Sequence, residues 1–477
     1  MAENIETRIS SEQAKDAIYK INKLSEKGLT PEQIADAIEK VSQISSSASE
    51  IDGSAKLAHP SVSKFLTCLN NNNKHISILV NSDSTGNETN EWVYLFAQWL
   101  ATNYPVYTVR YRIWNTSTFD YDAPISINVG SGIYNLDIFN FAIGGTTPKY
   151  MLAKYFTKAC KNIINQAIYP NTSTSVDLLI MNHGHNIYHR SKEQAEFMYA
   201  DGLESILSIH NSCSVIGIKQ NPLRDDNTAE SKHNAVENYI LKRGIALANV
   251  YSKFIKLNKI PSLYADNVHP STGLGTQESP TGTRLFLESI IEHLSKTVIK
   301  SGLAFNSKFN LTKKNLLPNG DFSIWTTPTN PPDGWTCSYC TPSQDSINFE
   351  NIAIQKSLKV VSNGTGSAFV EYIVPSYILN SVKGKFLTLS ARMYINSANT
   401  DGNSGLIRVL TSSNSEIWTS AWTNAEFDAF VWSSIYFHLK ETDTFLKIRI
   451  YTGVNSGAIV NIDRVVLGKG IELFDIQ

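Results

Sequence analysis

The chain has little that would hold it to nucleic acid or to a membrane. Its 477 residues carry 42 Lys and Arg against 43 Asp and Glu, for a formal net charge of -1, so no overall basic field attracts polyanions. No apolar run approaches the roughly 18 residues that span a bilayer. The N-terminal residues lack the basic and apolar regions of a secretory signal. We therefore expect no nucleic acid partner, no membrane partner and no conventional export signal.

Cysteine is also scarce. The five cysteines are too few and too scattered for a disulfide framework. Cys337 and Cys340 form the one close pair in the sequence, but a structural zinc site requires four ligands and no second pair supplies them. We interpret the two residues as reduced or locally bridged, and we expect neither a metal nor an organic cofactor.

What the chain does contain is an ordinary globular composition, 42% hydrophobic and 18% charged. Its length corresponds to two or three domains of about 150 residues. The predicted divisions are a helical N-terminus (residues 1–55), an α/β domain (65–300), a linker (301–314) and a C-terminal β domain (315–477).

Residues 1–55 read as two short amphipathic helices, Ser11–Glu26 and Pro31–Val41, followed by a serine-rich spacer. Two such helices bury little apolar surface by themselves. They are interpreted either as an appendage of the main domain or as a segment for self-association or attachment.

From about residue 70 predicted strands and helices alternate, which indicates βαβ units and a parallel sheet covered on both faces, a three-layer α/β/α fold. The strands are predicted at 75–81, 106–113, 176–181, 214–218 and 245–250, and the helices at 88–103, 149–167, 192–210, 229–243 and 283–296.

The C-terminal region is rich in short β-type runs separated by turn dipeptides such as Asn363-Gly364. This pattern predicts an antiparallel sandwich of the jelly-roll kind with little helix. The predicted strands are 357–361, 368–374, 386–395, 406–410, 433–439, 446–451 and 458–466.

Four short segments in a fixed order carry the candidate chemistry. They are Ser82–Gly86, Ile143–Thr147, His183–Asn186 and Asp266–Pro270. Together they supply the parts of an acyl-enzyme esterase: a nucleophile, a base, a carboxylate that orients the base, and oxyanion donors. In the same order, these are Ser84, His269, Asp266, and the N–H groups of Ser84 and Gly145 with the Asn186 amide.

The positions of these residues favour the catalytic interpretation over plain polar loops. Ser84 directly follows the first predicted strand, and ligands of open α/β sheets bind outside the carboxyl ends of strands. Asp266 precedes His269 by three residues, within reach of the imidazole Nδ1–H. Gly130–Gly132 is a second candidate for the oxyanion donor.

Three histidines, His183, His185 and His189, lie around the third segment. Three imidazoles can bind zinc, but no acidic ligand stands nearby. Packing beside the site or contact with the substrate is the favoured interpretation.

The four segments resemble the characteristic blocks of the SGNH (GDSL-type) esterase superfamily, over about residues 70–298. The chain differs from those blocks at Ser82, where glycine is usual, and at Ile187, where aspartate is usual. The resemblance implies catalytic roles for Ser84, Asp266 and His269. It implies an oxyanion hole formed by Ser84, Gly145 and Asn186.

Two of the segments, Asp83-Ser84-Thr85 and Gly184-His185-Asn186, are similar to those of rhamnogalacturonan-type acetylesterases, which remove O-acetyl groups from polysaccharides. Asp83, Thr85 and His185 are accordingly expected to contact the substrate.

The C-terminal region resembles carbohydrate-binding-like sandwiches that accompany phage tail spikes and secreted polysaccharide enzymes. Aromatic faces stack on sugar rings but also fill sandwich cores. Trp325 and Trp335 are expected in the core, whereas Trp418 and Trp422, in a polar setting, are expected to contact sugar.

These observations predict a serine esterase that deacetylates a bacterial capsule or O-antigen. We expect it to act in a phage or prophage tail spike, in the virion tail or outside the cell. It would be a homo-oligomer, as a trimer if it is a spike, with residues 1–55 bound to other tail proteins. Three alternatives stay open: a lipase or thioesterase, a non-catalytic receptor-binding protein, and a sandwich that serves only folding or oligomerisation.

Overall fold

A computed structural model describes residues 58–161, 176–187, 190–296, 315–347, 355–399, 404–413, 417–418 and 430–471. The predicted N-terminal helices, the predicted linker, His189 and Trp422 lie outside these ranges. Nearly all described residues belong to one compact unit, which begins at His59 and includes the C-terminal domain. In the described part of the chain no helix is long and apolar enough to cross a membrane.

The first half of this unit is built on an eight-stranded sheet in the order β3-β2-β5-β1-β6-β7-β8, with β4 paired to β2. The six strands from β2 to β8 in this order are parallel, and the short β3 and β4 pair antiparallel with β2. The strands are β1 (Ile76–Ser82), β2 (Thr108–Asn115), β3 (Asp120–Tyr121), β4 (Ile125–Ser126), β5 (Asn135–Ala142), β6 (Leu178–Asn182), β7 (Ser214–Lys219) and β8 (Ala246–Asn249).

Helices cover the sheet in two groups, and β1, β6 and β7 are buried along their whole length. Because side chains of a strand alternate between faces, burial at every position means that both faces are covered. One group comprises α1 (Pro60–Asn71), α2 (Trp92–Asn103), α6 (Val250–Lys256) and α7 (Gly282–Leu294), and the other α3 (Tyr150–Lys154), α4 (Lys192–Ile209) and α5 (Glu230–Lys242).

The predicted α/β architecture with a mostly parallel sheet is confirmed, but some elements differ from the prediction. The strands β3, β4 and β5 and the helices α1 and α6 were not predicted. The predicted helix 149–167 is interrupted in its described part: α3 ends at Lys154 and a π-helical turn, Thr157–Lys161, follows, while 162–167 lie outside the described residues.

The second half is a pair of five-stranded antiparallel sheets, ordered β10-β11-β18-β13-β16 and β15-β14-β17-β12-β9. This confirms the predicted antiparallel β-sandwich. Its strands are β9 (Trp335–Ser338), β10 (Cys340–Asp345), β11 (Ser357–Ser362), β12 (Ala368–Ile373), β13 (Phe386–Ile395), β14 (Ile407–Thr411), β15 (Ile417–Trp418), β16 (Phe430–His438), β17 (Leu446–Gly453) and β18 (Ile459–Lys469).

The facing sheets enclose an apolar core that includes Trp335, with Trp325 packed against it, as the sequence predicted. One helix, α8 (Ser376–Val382), lies between β12 and β13 along the chain. Cys337 and Cys340 are bonded to each other, the locally bridged alternative.

Candidate active site

Three of the four sequence segments meet because three neighbouring parallel strands end in register. Ser82, the last residue of β1, pairs with Ala142 at the end of β5 and with Asn182 at the end of β6. The loops that follow these strands therefore leave the same edge of the sheet side by side. A Cβ added to Gly144 would lie 3.7 Å from the Ser84 Cβ, so the second loop contacts the first.

Ser84, His269 and Asp266 form a chain of short hydrogen bonds at this edge. Ser84 Oγ lies 2.8 Å from His269 Nε2, and His269 Nδ1 lies 2.7 Å from Asp266 Oδ2. Residues 185 positions apart in sequence thus lie in direct contact. A hydroxyl, an imidazole and a carboxylate in this sequence match the geometry of a nucleophile, a general base and the group that orients it.

The electrostatics of Asp266 set the direction of these hydrogen bonds. Partial burial opposes ionisation of Asp266, but hydrogen bonds from the His269 backbone and side chain and from the Val268 N–H outweigh it and lower its pKa to about 2. The carboxylate is therefore ionised at neutral pH and can only accept. It follows that Nδ1 of His269 carries the proton, which leaves Nε2 to accept from the Ser84 hydroxyl.

The loop that carries His269 is held in place by backbone and side-chain hydrogen bonds. Tyr264 and Pro270 form an isolated β-bridge, and Ala265 N–H donates to the His269 carbonyl at 2.9 Å. Asn221, just after β7, donates from Nδ2 to the Val268 carbonyl at 2.8 Å. The imidazole is thus held by its backbone as well as by Asp266.

The nucleophile loop is held by a buried polar cluster. Asp83 is fully buried and accepts from Thr85 N–H at 3.1 Å, from Thr85 Oγ1 at 2.8 Å and from Gln220 Nε2 at 2.9 Å. Asn182 Nδ2 donates to the same Thr85 hydroxyl at 2.8 Å. Asp83 and Thr85 are thus hydrogen-bonded to groups inside the protein, and these contacts support a role in holding the loop that carries Ser84. The substrate contacts predicted for these two residues have no support in this arrangement.

Besides the Ser84 N–H, the candidate oxyanion donors lie in the second and third loops. Gly145 is exposed and has φ +75°, a backbone conformation that favours glycine. Asn186 is half-buried and its Nδ2 donates to the Thr146 carbonyl at 2.8 Å. This hydrogen bond joins the two loops and leaves one of the two amide hydrogens for another acceptor.

Gly130–Gly132, the competing candidate for the oxyanion donor, lies elsewhere. Gly130 packs against the Tyr107 backbone, and Gly132 N–H donates to the Val106 carbonyl. Both contacts precede β2, at the amino ends of the strands. The segment is therefore at the edge of the sheet opposite to Ser84.

His183 and His185 are buried and bonded to protein groups. Each Nε2 donates within the fold: His183 to Asn81 Oδ1 at 3.0 Å, and His185 to the Asn221 carbonyl at 2.8 Å. Burial lowers the pKa of His183 to about 4 and also lowers that of His185. Both are neutral near pH 7. Within the described ranges no group of three His, Cys, Asp or Glu side chains is arranged to hold a metal ion.

The two departures from the SGNH blocks leave the site intact. Ser82 is fully buried, and its hydroxyl accepts from Asn182 Nδ2 at 2.8 Å. Ile187 is fully buried and belongs to the main apolar core. Both side chains therefore pack in the interior of the protein, and neither difference removes a group from the Ser84–His269–Asp266 chain.

In the sandwich, Trp418 takes part in a row of residues that crosses one sheet. Strand register places its backbone opposite Arg408, and Arg408 stands opposite Arg449. Residues that alternate with the row, such as Val409 and Ile450, are buried in the core, so the row belongs to the outer face. On that face it comprises Arg408, Arg449, Glu371 and Thr336, and the backbone of Trp418 pairs beside Arg408 at its end.

Aromatic rings and charges alternate on this outer face. The Arg408 guanidinium lies 4.4 Å from the Tyr451 ring centroid, and that of Arg449 lies 4.4 Å from the Phe369 ring centroid. Arg449 also pairs with Glu371 at 2.5 Å. Planar polar groups beside aromatic rings suit the hydroxyls and flat faces of sugars.

Sequence reasoning did not find Gln220, Asn221 or Asn182. All are buried amides that directly follow or end a strand at the carboxyl edge. A run of three polar residues, Lys219-Gln220-Asn221, at the end of the apolar strand β7 was the available signal.

Comparisons with known proteins give distant likenesses only. No family model and no curated protein match the chain. A two-domain esterase active on acetylated mannans matches over 88% of this chain and 97% of its own, with 10% identity and a TM-score of 0.35. The enzymatically active domain of tailspike protein 4 from Bacteriophage CBA120 matches over 32% of this chain and 21% of its own, with 10% identity and a TM-score of 0.24.

A third likeness falls on a carbohydrate-binding domain. The CBM22-1 xylan-binding domain of Paenibacillus barcinonensis Xyn10C matches over 33% of this chain and 95% of its own, with 10% identity and a TM-score of 0.25. Likenesses at these scores carry no argument about the function of this chain, which is therefore argued from its own residues.

Proposed function

We propose that this chain is a serine esterase that removes O-acetyl groups from a bacterial surface polysaccharide. The observation that carries the proposal is the chain of hydrogen bonds from Ser84 Oγ to His269 Nε2 (2.8 Å) and from His269 Nδ1 to Asp266 (2.7 Å). The proposed catalytic residues are Ser84, His269 and Asp266. The proposed oxyanion hole comprises the N–H groups of Ser84 and Gly145 with the Asn186 amide.

In the first half of the reaction, Ser84 Oγ attacks the acetyl carbonyl carbon while its proton passes to His269 Nε2. The carbonyl oxygen becomes an oxyanion, which the proposed donors stabilise. His269 then returns the proton to the sugar oxygen as its bond to the acetyl carbon breaks. The products are a free sugar hydroxyl and an acetyl group esterified to Ser84.

In the second half, water replaces the sugar. His269 takes a proton from water, the hydroxide oxygen attacks the acetyl carbon, and a second oxyanion forms in the same place. The bond to Ser84 breaks, Ser84 recovers its proton from His269, and acetic acid leaves. Asp266 remains an anion throughout and stabilises the imidazolium that forms twice.

The sandwich is proposed to bind the polysaccharide through the outer face that carries Trp418, Arg408 and Arg449. The buried positions of Asp83 and Thr85 make them supports of the nucleophile loop in this proposal. His185 donates to the Asn221 carbonyl and so supports the loop that carries His269. Trp422, outside the described residues, stays a predicted sugar contact.

The proposed setting is a phage or prophage tail spike, in the virion tail or outside the cell, with residues 1–55 as the attachment segment. Light scattering tests the oligomer: a trimeric spike gives three times the 53.0 kDa of one chain. A mass near that of one chain contradicts the spike.

The deciding experiment measures acetate release from O-acetylated bacterial polysaccharides by the wild type and by Ser84→Ala. Release by the wild type alone is the expected result. Equal release by both proteins contradicts the assignment of Ser84. No release by either, with polysaccharide binding retained, favours the non-catalytic receptor-binding protein.

The length of the acyl chain separates the esterase from the lipase or thioesterase alternative. An acetylesterase loses kcat/KM as the acyl chain of a p-nitrophenyl ester lengthens from acetyl to octanoyl. A rising series contradicts acetyl specificity.

A further inference from the structure

The loop that carries Gly145 ends in a lysine that joins three parts of the molecule. Lys149 Nζ pairs with Asp201 Oδ2 at 2.5 Å and donates to the Ser434 carbonyl at 3.0 Å. Asp201 lies on α4, and Ser434 lies on β16 of the sandwich. One ammonium group therefore connects the Gly145 loop to a helix of the α/β half and to a strand of the sandwich.

This junction is buried and tightly packed. Asp201 is 2% exposed and the Lys149 side chain is 18% exposed, so the pair is poorly screened by water. Lys149 Nζ also lies 5.0 Å from the centre of the Phe197 ring, and that ring stacks on Tyr436 of β16 at 5.1 Å. Removing the partner of a buried charge is strongly destabilising, so this arrangement resists displacement.

The backbone of the loop also rests directly on α4. A Cβ added to Gly202, the residue after Asp201, would lie 2.5 Å from the Pro148 carbonyl oxygen. Only a residue without a side chain leaves room for Pro148 there. The loop is thus held from below by Gly202 and Asp201 and from the side by β16.

We propose that Lys149 is a positioning residue for the oxyanion donor Gly145. Through its contact with Lys149, strand β16 of the sandwich then contributes to the esterase site. This rests on the proposed function, because the position of Gly145 affects the rate only if its N–H binds the oxyanion. An oxyanion donor acts in the transition state and not on the bound ester. Displacing it lowers kcat and leaves KM nearly unchanged.

The test compares Lys149→Met with the wild type on p-nitrophenyl acetate and by amide hydrogen exchange. We expect kcat to fall by about tenfold or more, which is less than the 10²–10³-fold fall caused by removing a donor outright. KM should stay within about twofold of the wild-type value. Exchange in peptides that cover residues 143–149 should quicken. Lys149→Arg, which keeps a cation able to reach both partners, should restore most of kcat and of the exchange protection.

Two further variants separate positioning from general loss of stability. Arg243→Met removes an ion pair of 2.8 Å to Glu204, which joins the same helix to α5 instead of to the loop. It should lower Tm but keep kcat. Tyr436→Leu removes the β16 ring from Phe197; it should lower kcat in the wild type and have no further effect in the Lys149→Met background.

Normal kcat and unchanged exchange in Lys149→Met would overturn the proposal. So would an equal fall of kcat in Arg243→Met. If the wild type shows no Ser84-dependent hydrolysis, the proposed function fails instead, and hydrogen exchange alone then decides whether Lys149 and β16 hold the loop.

Discussion

Gln220 donates its side-chain amide to Asp83 Oδ2 at 2.9 Å, across 137 residues of sequence, with both side chains fully buried. The same amide nitrogen lies 3.2 Å from the Thr85 hydroxyl. Replacing Gln220 by Leu leaves a buried carboxyl oxygen without this donor, which costs about 1–3 kcal/mol of unfolding free energy. Because Asp83 and Thr85 flank Ser84, we also expect kcat to fall.

Urea unfolding and p-nitrophenyl acetate kinetics check this prediction. The matched control is Gln98→Leu, at an exposed position on α2. This variant should change neither the unfolding free energy nor kcat. Full activity and stability in Gln220→Leu would mean that the hydrogen bond to Asp83 is dispensable.

Asp266→Asn should abolish most activity while the loop keeps its shape. Oδ1 of Asp266 accepts the Val268 and His269 N–H groups, both at 2.7 Å, and an asparagine oxygen can accept both. Its NH₂ group then faces His269 Nδ1 and forces that nitrogen to accept. Nε2 must carry the proton and can no longer take one from Ser84, so kcat should fall by about 10³–10⁴.

The measurement is kcat beside the Tm of Asp266→Asn and Asp266→Ala. We expect both variants to be inactive, but only Asp266→Ala to lose stability, since it removes the acceptor for both backbone groups. A nearly active Asp266→Asn would exclude His269 Nε2 as the base.

The residues of the Ser84–His269–Asp266 hydrogen-bond chain could be predicted from sequence because they stand in short local patterns. Asp266 and His269 share one loop, and Ser84 follows an apolar strand whose end is visible in the sequence. Strand ends gather at one edge of a parallel sheet, so order and spacing were enough to bring the loops together. Seven of the ten sandwich strands could be predicted as short apolar runs between turns, whereas β9, β10 and β15 were not predicted.

The supports of the site could not be predicted in this way. Gln220 and Lys149 act through partners more than 50 residues away, Asp83, Asp201 and Ser434, and no local pattern encodes such pairing. The burial of Asp83 and Thr85 could not be predicted, because polar residues beside Ser84 look alike in sequence whether they face the solvent or the interior. The strand β5 was missed because Asn135, Asp137 and Asn140 interrupt its apolar pattern; Asp137 is neutralised by Arg110 and Arg112.

Stability should fall with rising pH because of Glu91, a residue 4% exposed at the start of α2. Burial raises the pKa of its carboxyl to about 7, against opposing hydrogen bonds from the Glu88 and Asn87 backbones. Between about pH 4.5 and 7, the folded chain keeps a proton that the unfolded chain has lost. The folded state is therefore most stable at the acidic end of that window and loses stability as the pH rises through it.

Glu91→Gln removes this titration but keeps an oxygen that can accept the Glu88 N–H, which lies 2.9 Å from Glu91 Oε2. Relative to the wild type, the variant should gain about 1–3 kcal/mol of unfolding free energy between pH 5 and 8, at about 1.4 kcal/mol for each pKa unit. Urea unfolding at several pH values measures it, with the exposed Glu278→Gln as control. Parallel stability curves for the wild type and Glu91→Gln would show that Glu91 titrates normally.

Trp418→Ala should weaken polysaccharide binding without changing hydrolysis of a small ester. Its register position opposite Arg408 places it at the end of the row on the outer face of the sandwich, and loss of one stacking aromatic costs about 0.5–1.5 kcal/mol beyond its buried area. Binding is measured by affinity electrophoresis in the Ser84→Ala background, so that the acetyl groups stay in place. The matched control is Tyr377→Ala, an aromatic 68% exposed on α8 and outside the row. If Trp418→Ala and Tyr377→Ala weaken binding equally, or if neither weakens it, the sugar-binding surface does not lie on this face.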